Sequence, residues 1–166
     1  MKTVIVVDDE PITRMDIRET LVANRFQVLG DASDGFDAIE LCRCFSPDVV
    51  LMDVKMPIFD GMSAAETIIR ERLAVCVILL TSYLDHEYVD QAKDIGVTGY
   101  LAKPLDERLL VPTIEIAYAQ SMRYADMNNR YEQVKQKLAD KNLLDRAKAI
   151  LAQKDRVSEN EAYIMI

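Results

Sequence analysis

Short apolar runs recur along the first hundred residues, each followed by a stretch with helical spacing. Residues 3–7 (TVIVV), 48–52 (DVVLM) and 75–80 (VCVILL) are apolar on both faces, as buried parallel strands are. Residues 26–30 (FQVLG) and 98–102 (TGYLA) read as shorter strands. Helical patterns fill the intervals at about 12–24, 35–45, 62–72 and 86–95. Ser33 or Asp34 is placed to cap the second of these, and Ser82 or Asp85 the fourth. Gly30, Gly35, Gly61, Gly96 and Gly99 all fall at element ends. Five strands alternating with helices predict an α/β domain with a parallel sheet and right-handed crossovers. In such a sheet, ligands bind beyond the carboxyl ends of the strands.

After Pro104 the pattern changes. From 106 to 140 there is no Gly and one Pro, Pro112. If helical throughout, the segment is about 50 Å long at ~1.5 Å per residue, longer than the sheet needs. Ala117, Gln120, Tyr124, Met127, Tyr131, Val134 and Leu138 follow alternating steps of three and four. That is coiled-coil spacing, and it predicts a dimer seam. Asn142 is read as a break. Residues 143–153 (LLDRAKAILAQ) then form an amphipathic helix, and Ser158 with Glu161 reads as a capping box opening a last one. The last helix ends at Ile166 after barely two turns, which predicts missing sequence. The expected organisation is a domain at 1–120, a coiled-coil helix at 121–140 and a small helical tail at 141–166.

Composition changes this picture in three ways. Net charge is −8 over 166 residues, but it is uneven. Residues 1–122 carry a net −10, while 123–156 hold nine basic and five acidic residues, a net +4. A sign change between segments points to two roles in one chain. The three cysteines, Cys42, Cys44 and Cys76, form no CxxC pair and read as reduced, packed thiols. His86 is the single histidine, which leaves almost no material for a His-based triad or His-rich metal site. No apolar run approaches the ~20 residues that span a bilayer. The start MKTVIVVDDE turns acidic too early for a signal peptide, so a soluble cytoplasmic protein is expected.

The chemistry gathers where strands end. Asp8 and Asp9 follow the first strand, Asp53 ends the third, Thr81 the fourth and Lys103 the fifth. In a parallel sheet these ends share one edge. Three converging carboxylates repel one another and suit a hard divalent cation; Mg²⁺ fits, since it keeps waters and needs few protein ligands. A carboxylate is also a nucleophile toward phosphorus, giving an acyl phosphate. A metal, a lysine and a hydroxyl can hold the phosphoryl oxygens.

The set DDE (8–10), DVKMP (53–57), Thr81-Ser82 and Lys103-Pro104 resembles a response-regulator receiver domain, over about residues 1–120. The resemblance implies a doubly wound, five-stranded parallel sheet of flavodoxin-like type. It implies Asp53 as phosphoacceptor for a sensor histidine kinase, and Mg²⁺ held by Asp8, Asp9, Asp53 and the backbone carbonyl of Lys55. Lys103 would pair with the phosphoryl group, its bond to Pro104 would be cis, and Thr81 and Tyr100 would form the switch pair. Phosphorylation is expected to promote a homodimer. An aspartyl phosphatase or phosphomutase is a rival, but the common D-x-D pattern needs an acid at 55, where this chain has Lys55.

The tail resembles the ANTAR domain, a helical RNA-binding module of transcription antiterminators. Lys137-Leu138, RAKAIL (146–151) and SENEAY (158–163) carry the likeness, with Ala149 where the family usually has Gly. Receivers joined to this module include the regulators of ethanolamine utilisation. The family has a third helix, so here the module reads as partial. The resemblance implies binding to RNA hairpins, with Arg146 and Lys148 as contacts, Lys141 and Lys154 behind them, and Tyr163 for stacking. The alternative is a receiver that works only through protein partners, its long helix a dimer rod.

Overall fold

Alternate residues of each strand face opposite sides of a sheet, and here both sides are apolar and covered. The computed structural model describes residues 1–82 and 86–155, with the side chains of 86, 154 and 155 left out. Its elements in chain order are β1 (Thr3–Val7), α1 (Pro11–Ala23), β2 (Gln27–Ala32), α2 (Gly35–Phe45) and β3 (Val49–Asp53). They continue as α3 (Gly61–Arg70), β4 (Cys76–Thr81), α4 (His86–Ile95), β5 (Gly99–Ala102) and α5 (Glu107–Asp155). The strands are all parallel, in the order β2-β1-β3-β4-β5. The chain divides into two units, Met1–Met122 and Arg123–Ile166.

Strand parity sorts the core of the first unit into two layers. Val4, Val6, Val49, Leu51, Ile78 and Leu80 face Ile17 and Leu21 of α1 and Leu110, Ile114 and Ala117 of α5. Ile5, Val7, Val50, Met52, Val77 and Leu79 face side chains of α2, α3 and α4. This is the doubly wound architecture that the strand–helix alternation predicts. Carboxylates fix two helix starts: Asp34 accepts from the Asp37 N–H and Asp60 from the Ser63 N–H, each at 2.9 Å. Caps of this kind contribute about 1 kcal/mol each. Pro11 opens α1, where its missing N–H costs nothing.

Three readings need correction. The second strand runs to Ala32 rather than ending at Gly30, because the ladder steps across Leu29 and pairs Gly30 with Ile5. Asn142 does not break the last helix, and α5 continues for 49 residues to Asp155. Asn costs only a few tenths of a kcal/mol more than good helix formers, and its neighbours Lys141, Leu143 and Leu144 favour helix. Cys44 is exposed rather than packed, while Cys42 and Cys76 are buried and burial raises both thiols, to about 12 and about 11. Pro112 lies inside α5, and the Lys103–Pro104 peptide is cis.

Among the described residues, Arg25, Ser46, Ile58 and Arg72 take positive φ, and the β-branched one is the most strained. Ile58 takes φ = 70° and is 82% exposed. A β-branched residue in the left-handed region costs on the order of 1–3 kcal/mol, and exposure leaves little packing to offset it. Ile58→Gly should therefore raise the unfolding free energy by about 1 kcal/mol net of glycine's extra chain entropy. Urea unfolding followed by circular dichroism measures this; a loss of stability would show that the side chain is needed.

Candidate functional site

Parallel strands deliver their last residues to one edge, and the loops there hold the polar set. Asp8 follows β1; its N–H donates to the Ala32 carbonyl at 3.1 Å, and its Oδ1 accepts from the Glu10 N–H at 2.9 Å. Asp53 is the final residue of β3. The Lys103 N–H donates to the Thr81 carbonyl at 2.8 Å, which carries the β4–β5 ladder one residue past Ala102. Asp8, Asp53 and Thr81 are buried, whereas Asp9 is exposed. One carboxylate oxygen from each of Asp8, Asp9 and Asp53 lies within 4.8 Å of the others. The Lys103 ammonium donates to Asp8 Oδ2 at 2.6 Å and lies 3.3 Å from Asp53 Oδ1.

This crowding has an electrostatic signature. Burial, and then the Asp8 charge, push the Asp53 carboxyl up to about 6 against the opposing pull of Lys103. Burial alone would lower the Lys103 ammonium, but its bonds to Asp8 and the charge of Asp53 outweigh it and raise it. The donor set is oxygen-only and negatively charged, with one carboxylate open to solvent, and it fits a small divalent cation such as Mg²⁺. Asp8, Asp9 and Asp53 would hold the ion. When bound, it supplies positive charge that relieves their repulsion.

The other predicted residues divide. Thr81 and Tyr100 come together: Leu79 pairs with Tyr100 and Thr81 with Ala102, so the two sit on neighbouring strands two residues apart. Both have the parity of the layer covered by α2, α3 and α4, and Tyr100 packs against that layer half-buried. Lys55 lies two residues beyond Asp53 in the loop. Lys141, Arg146 and Lys148 lie far along α5, in the second unit. At about 100° per residue, Arg146 is about 140° round the helix from Lys141 and about 160° from Lys148, so the three share no single face. Lys141 and Arg146 are exposed and Lys148 is half-buried. The Lys154 side chain, Tyr163 and the Ser158–Glu161 pair lie outside the described residues.

Two contributors escaped the sequence reading. At Gly61 a Cβ would stand 1.7 Å from the Asp53 carbonyl oxygen, so only glycine lets α3 start this close to the acid. Its N–H closes the loop on Val54 O at 2.8 Å. The signal was available in Asp60-Gly61, a cap residue followed by glycine at the head of a helical pattern. Arg14 donates to the Asp8 carbonyl at 2.7 Å and to Asp31 Oδ2 at 2.9 Å, tying the ends of β1 and β2. Nothing in its spacing distinguishes Arg14 from a solvated arginine. A groove of about 480 Å³ opens beside Lys103, with Glu10, Thr13, Asp16, Pro104 and Leu105 in its walls; none of the three aspartates lines it.

Because the Asp53 carboxyl is raised from 3.8, the folded chain holds its proton more tightly than the unfolded chain does. Stability is therefore lost as pH rises from about 4 to about 6, and the full cost stands above that. In EDTA at pH 7, Asp53→Asn should stabilise the fold by on the order of 1–3 kcal/mol, a rise of several degrees in Tm. At pH 4 the difference should shrink to near zero. Thermal melts across that range check it, and an equal Tm at pH 7 would show that Asp53 is not under electrostatic stress.

Comparison with known proteins agrees with the geometry. The family described as response regulator receiver domain matches residues 4–115. The transcriptional regulatory protein PdtaR of Mycobacterium tuberculosis (strain H37Rv) is 34% identical over 162 residues, covering 98% of this chain and 78% of that protein. The transcriptional regulatory protein DegU of Brevibacillus brevis is 32% identical over 114 residues, covering 68% of this chain and 48% of that protein. Among solved structures, the receiver domain of AraT from Geobacillus stearothermophilus superposes with a TM-score of 0.65 at 31% identity, over 75% of this chain and 98% of that one. The signal receiver domain of NarL from M. tuberculosis gives 0.67 at 29% identity, over 71% and 96%. The five-stranded receiver fold is thus shared with these solved structures, and this chain belongs to the response regulator receiver family.

Proposed function

We propose that this chain is switched by phosphorylation of Asp53 and passes the signal to transcription through its second unit. The observation that carries the first half is the meeting of Asp8, Asp9 and Asp53 within 4.8 Å, with Lys103 bonded to Asp8 beside Asp53. An Asp53 carboxylate oxygen attacks the phosphorus of a phosphohistidine on a sensor kinase. The new P–O bond forms as the P–N bond breaks, and the imidazole leaves with a proton. Asp8, Asp9 and Asp53, with the Lys55 carbonyl, would hold Mg²⁺, whose charge offsets that of the phosphoryl oxygens. Lys103 stands where its ammonium can pair with one of those oxygens. The groove beside Lys103 offers the partner an open approach. The chemistry is confined to the chain's own Asp53, so the protein is no enzyme toward other substrates.

The readout follows from the Thr81–Tyr100 diagonal. Phosphorylation adds a charge of about −1.5 to −2. A hydrogen bond from Thr81 to the phosphoryl group exists in only one conformer, so the modification shifts the population toward it. Tyr100, on the same side of the next strand, follows into the space Thr81 leaves. The surface made by α4, β5 and the start of α5 then changes, and two copies pair there.

The output is transcription antitermination in the cytoplasm, by binding of RNA hairpins through Lys141, Arg146, Lys148 and Lys154. Two findings support this. The likeness to PdtaR, a transcriptional regulatory protein, extends over 162 residues and so through the second unit. Residues 123–156 carry the opposite charge to the first unit. No helix among the described residues is long and apolar enough to cross a membrane.

Two measurements test the reading. Acetyl phosphate with Mg²⁺ should label the wild type, and Asp53→Asn should lose at least about 95% of the label; label persisting on another residue removes the site. Hairpin RNA should bind the phosphorylated chain with affinity that falls steeply with salt, and Arg146→Ala should weaken it severalfold. Absence of binding at low salt leaves a receiver that acts through protein partners alone.

A further inference from the structure

A guanidinium stands behind the acids that are placed to hold a cation. Arg14 of α1 bonds in two directions: Nη1 donates to the Asp8 carbonyl at 2.7 Å and Nε to Asp31 Oδ2 at 2.9 Å. Asp31 lies on β2 opposite Val6, so it faces the side of the sheet that α1 covers. The Asp8 carbonyl and the Asp9 N–H belong to one planar peptide. A donor fixed on that oxygen therefore sets the plane of the unit joining two of the three clustered carboxylates. The Asp8 side chain has its own restraints, since Oδ1 accepts from the Glu10 N–H and Oδ2 from Lys103. Asp9 is exposed, and the direction of its carboxylate depends chiefly on the peptide it hangs from.

Charge alone disfavours an arginine here, because a guanidinium beside a divalent-cation site repels the ion. Asp31 offsets this. The Arg14–Asp31 pair is net neutral, with side chains 20% and 37% exposed, so it keeps its geometry while most of its field cancels. Arginine suits the task, since its flat fork holds two acceptors at fixed angles, which the point charge of a lysine does not. Partners that orient metal ligands from behind change metal affinity by about 10–100-fold when they are removed.

We propose that Arg14 and Asp31 form a neutral clamp that orients the Asp8–Asp9 peptide for Mg²⁺. Arg14 is a positioning residue, touching neither the ion nor phosphorus. The inference rests on the Mg²⁺ binding proposed above and adds what sets its strength. Removing the guanidinium has two opposed effects: it frees the peptide, which weakens binding, and it takes away a positive charge, which strengthens binding. In a clamp the first effect wins. Removing only the charge of Asp31 does the reverse, keeping an acceptor for Nε but leaving the guanidinium field uncancelled.

Mg²⁺ titrations of the full, unphosphorylated chain, followed through the amide NMR signals of Asp9 and its neighbours, separate these effects. Arg14→Ala should weaken Mg²⁺ binding about tenfold although it removes a cation. Asp31→Asn should weaken it about threefold relative to wild type at about 0.1 M KCl. That deficit should nearly vanish at about 1 M, where the screening length falls from ~10 Å to ~3 Å. Arg18→Ala removes an exposed arginine one turn further along α1 and should leave the affinity within about twofold of wild type. Thermal melts in EDTA report any loss of stability separately, since the affinities are read on folded chain. Equal or tighter binding by Arg14→Ala, with the wild type responding to Mg²⁺, overturns the clamp and leaves the metal site. Should Arg14→Ala fail to fold, Asp31→Asn decides: wild-type affinity at both salt concentrations overturns the clamp. A wild type whose signals do not respond to Mg²⁺ overturns both the clamp and the metal site.

Discussion

The structure turns on one unfavourable arrangement: three carboxylates and one ammonium forced together at the carboxyl edge of a parallel sheet. Two of the acids are buried, and Lys103 does not neutralise them fully, since the Asp53 carboxyl stays raised to about 6. A fold selected only for stability would place apolar or neutral residues there. The surrounding devices hold the acids in place despite their repulsion. Arg14 ties the Asp8 backbone to β2, and Gly61 admits the start of α3 against the Asp53 carbonyl. The cost is met by the two apolar layers, whose central strands β1, β3 and β4 are almost entirely buried.

Parity places Asp53 and the Thr81–Tyr100 pair on opposite sides of the sheet. Asp53 shares its side of the sheet with Val49 and Leu51, the layer beneath α1 and α5. Thr81 shares the opposite side with Val77 and Leu79. The strands are registered so that Asp53 lies beside Leu80, one residue before Thr81. Thr81, rooted in the other layer, thus stands one residue along from the position opposite Asp53, and Tyr100 belongs to the Thr81 layer too.

Much of this was legible in the sequence because the first unit obeys local rules. Apolar runs such as VCVILL leave few alternatives to a central strand, and parallel connection then gathers strand ends at one edge whatever the loops do. Hence Asp8, Asp9, Asp53, Thr81 and Lys103 could be grouped before any coordinates. What stayed hidden depends on close approach rather than on pattern. Gly61 reads as an ordinary helix start until its distance to Asp53 is known, and Arg14 as an ordinary surface arginine. The continuity of α5 through Asn142 was missed for a different reason: a weak helix former was weighed as a breaker, although propensity is summed over many residues. Residue type alone could not say that Arg146 points away from Lys141 and Lys148, which lie about 20° apart on one unbroken helix.

Within the second unit, that unbroken helix sets a rule of length. The stripe from Tyr124 to Leu138 repeats by steps of three and four along one helix. Adding one residue inside the stripe turns everything beyond it by about 100°, whereas adding seven returns it to within about 20°. A stripe of this kind keeps its line only when its length changes by whole heptads.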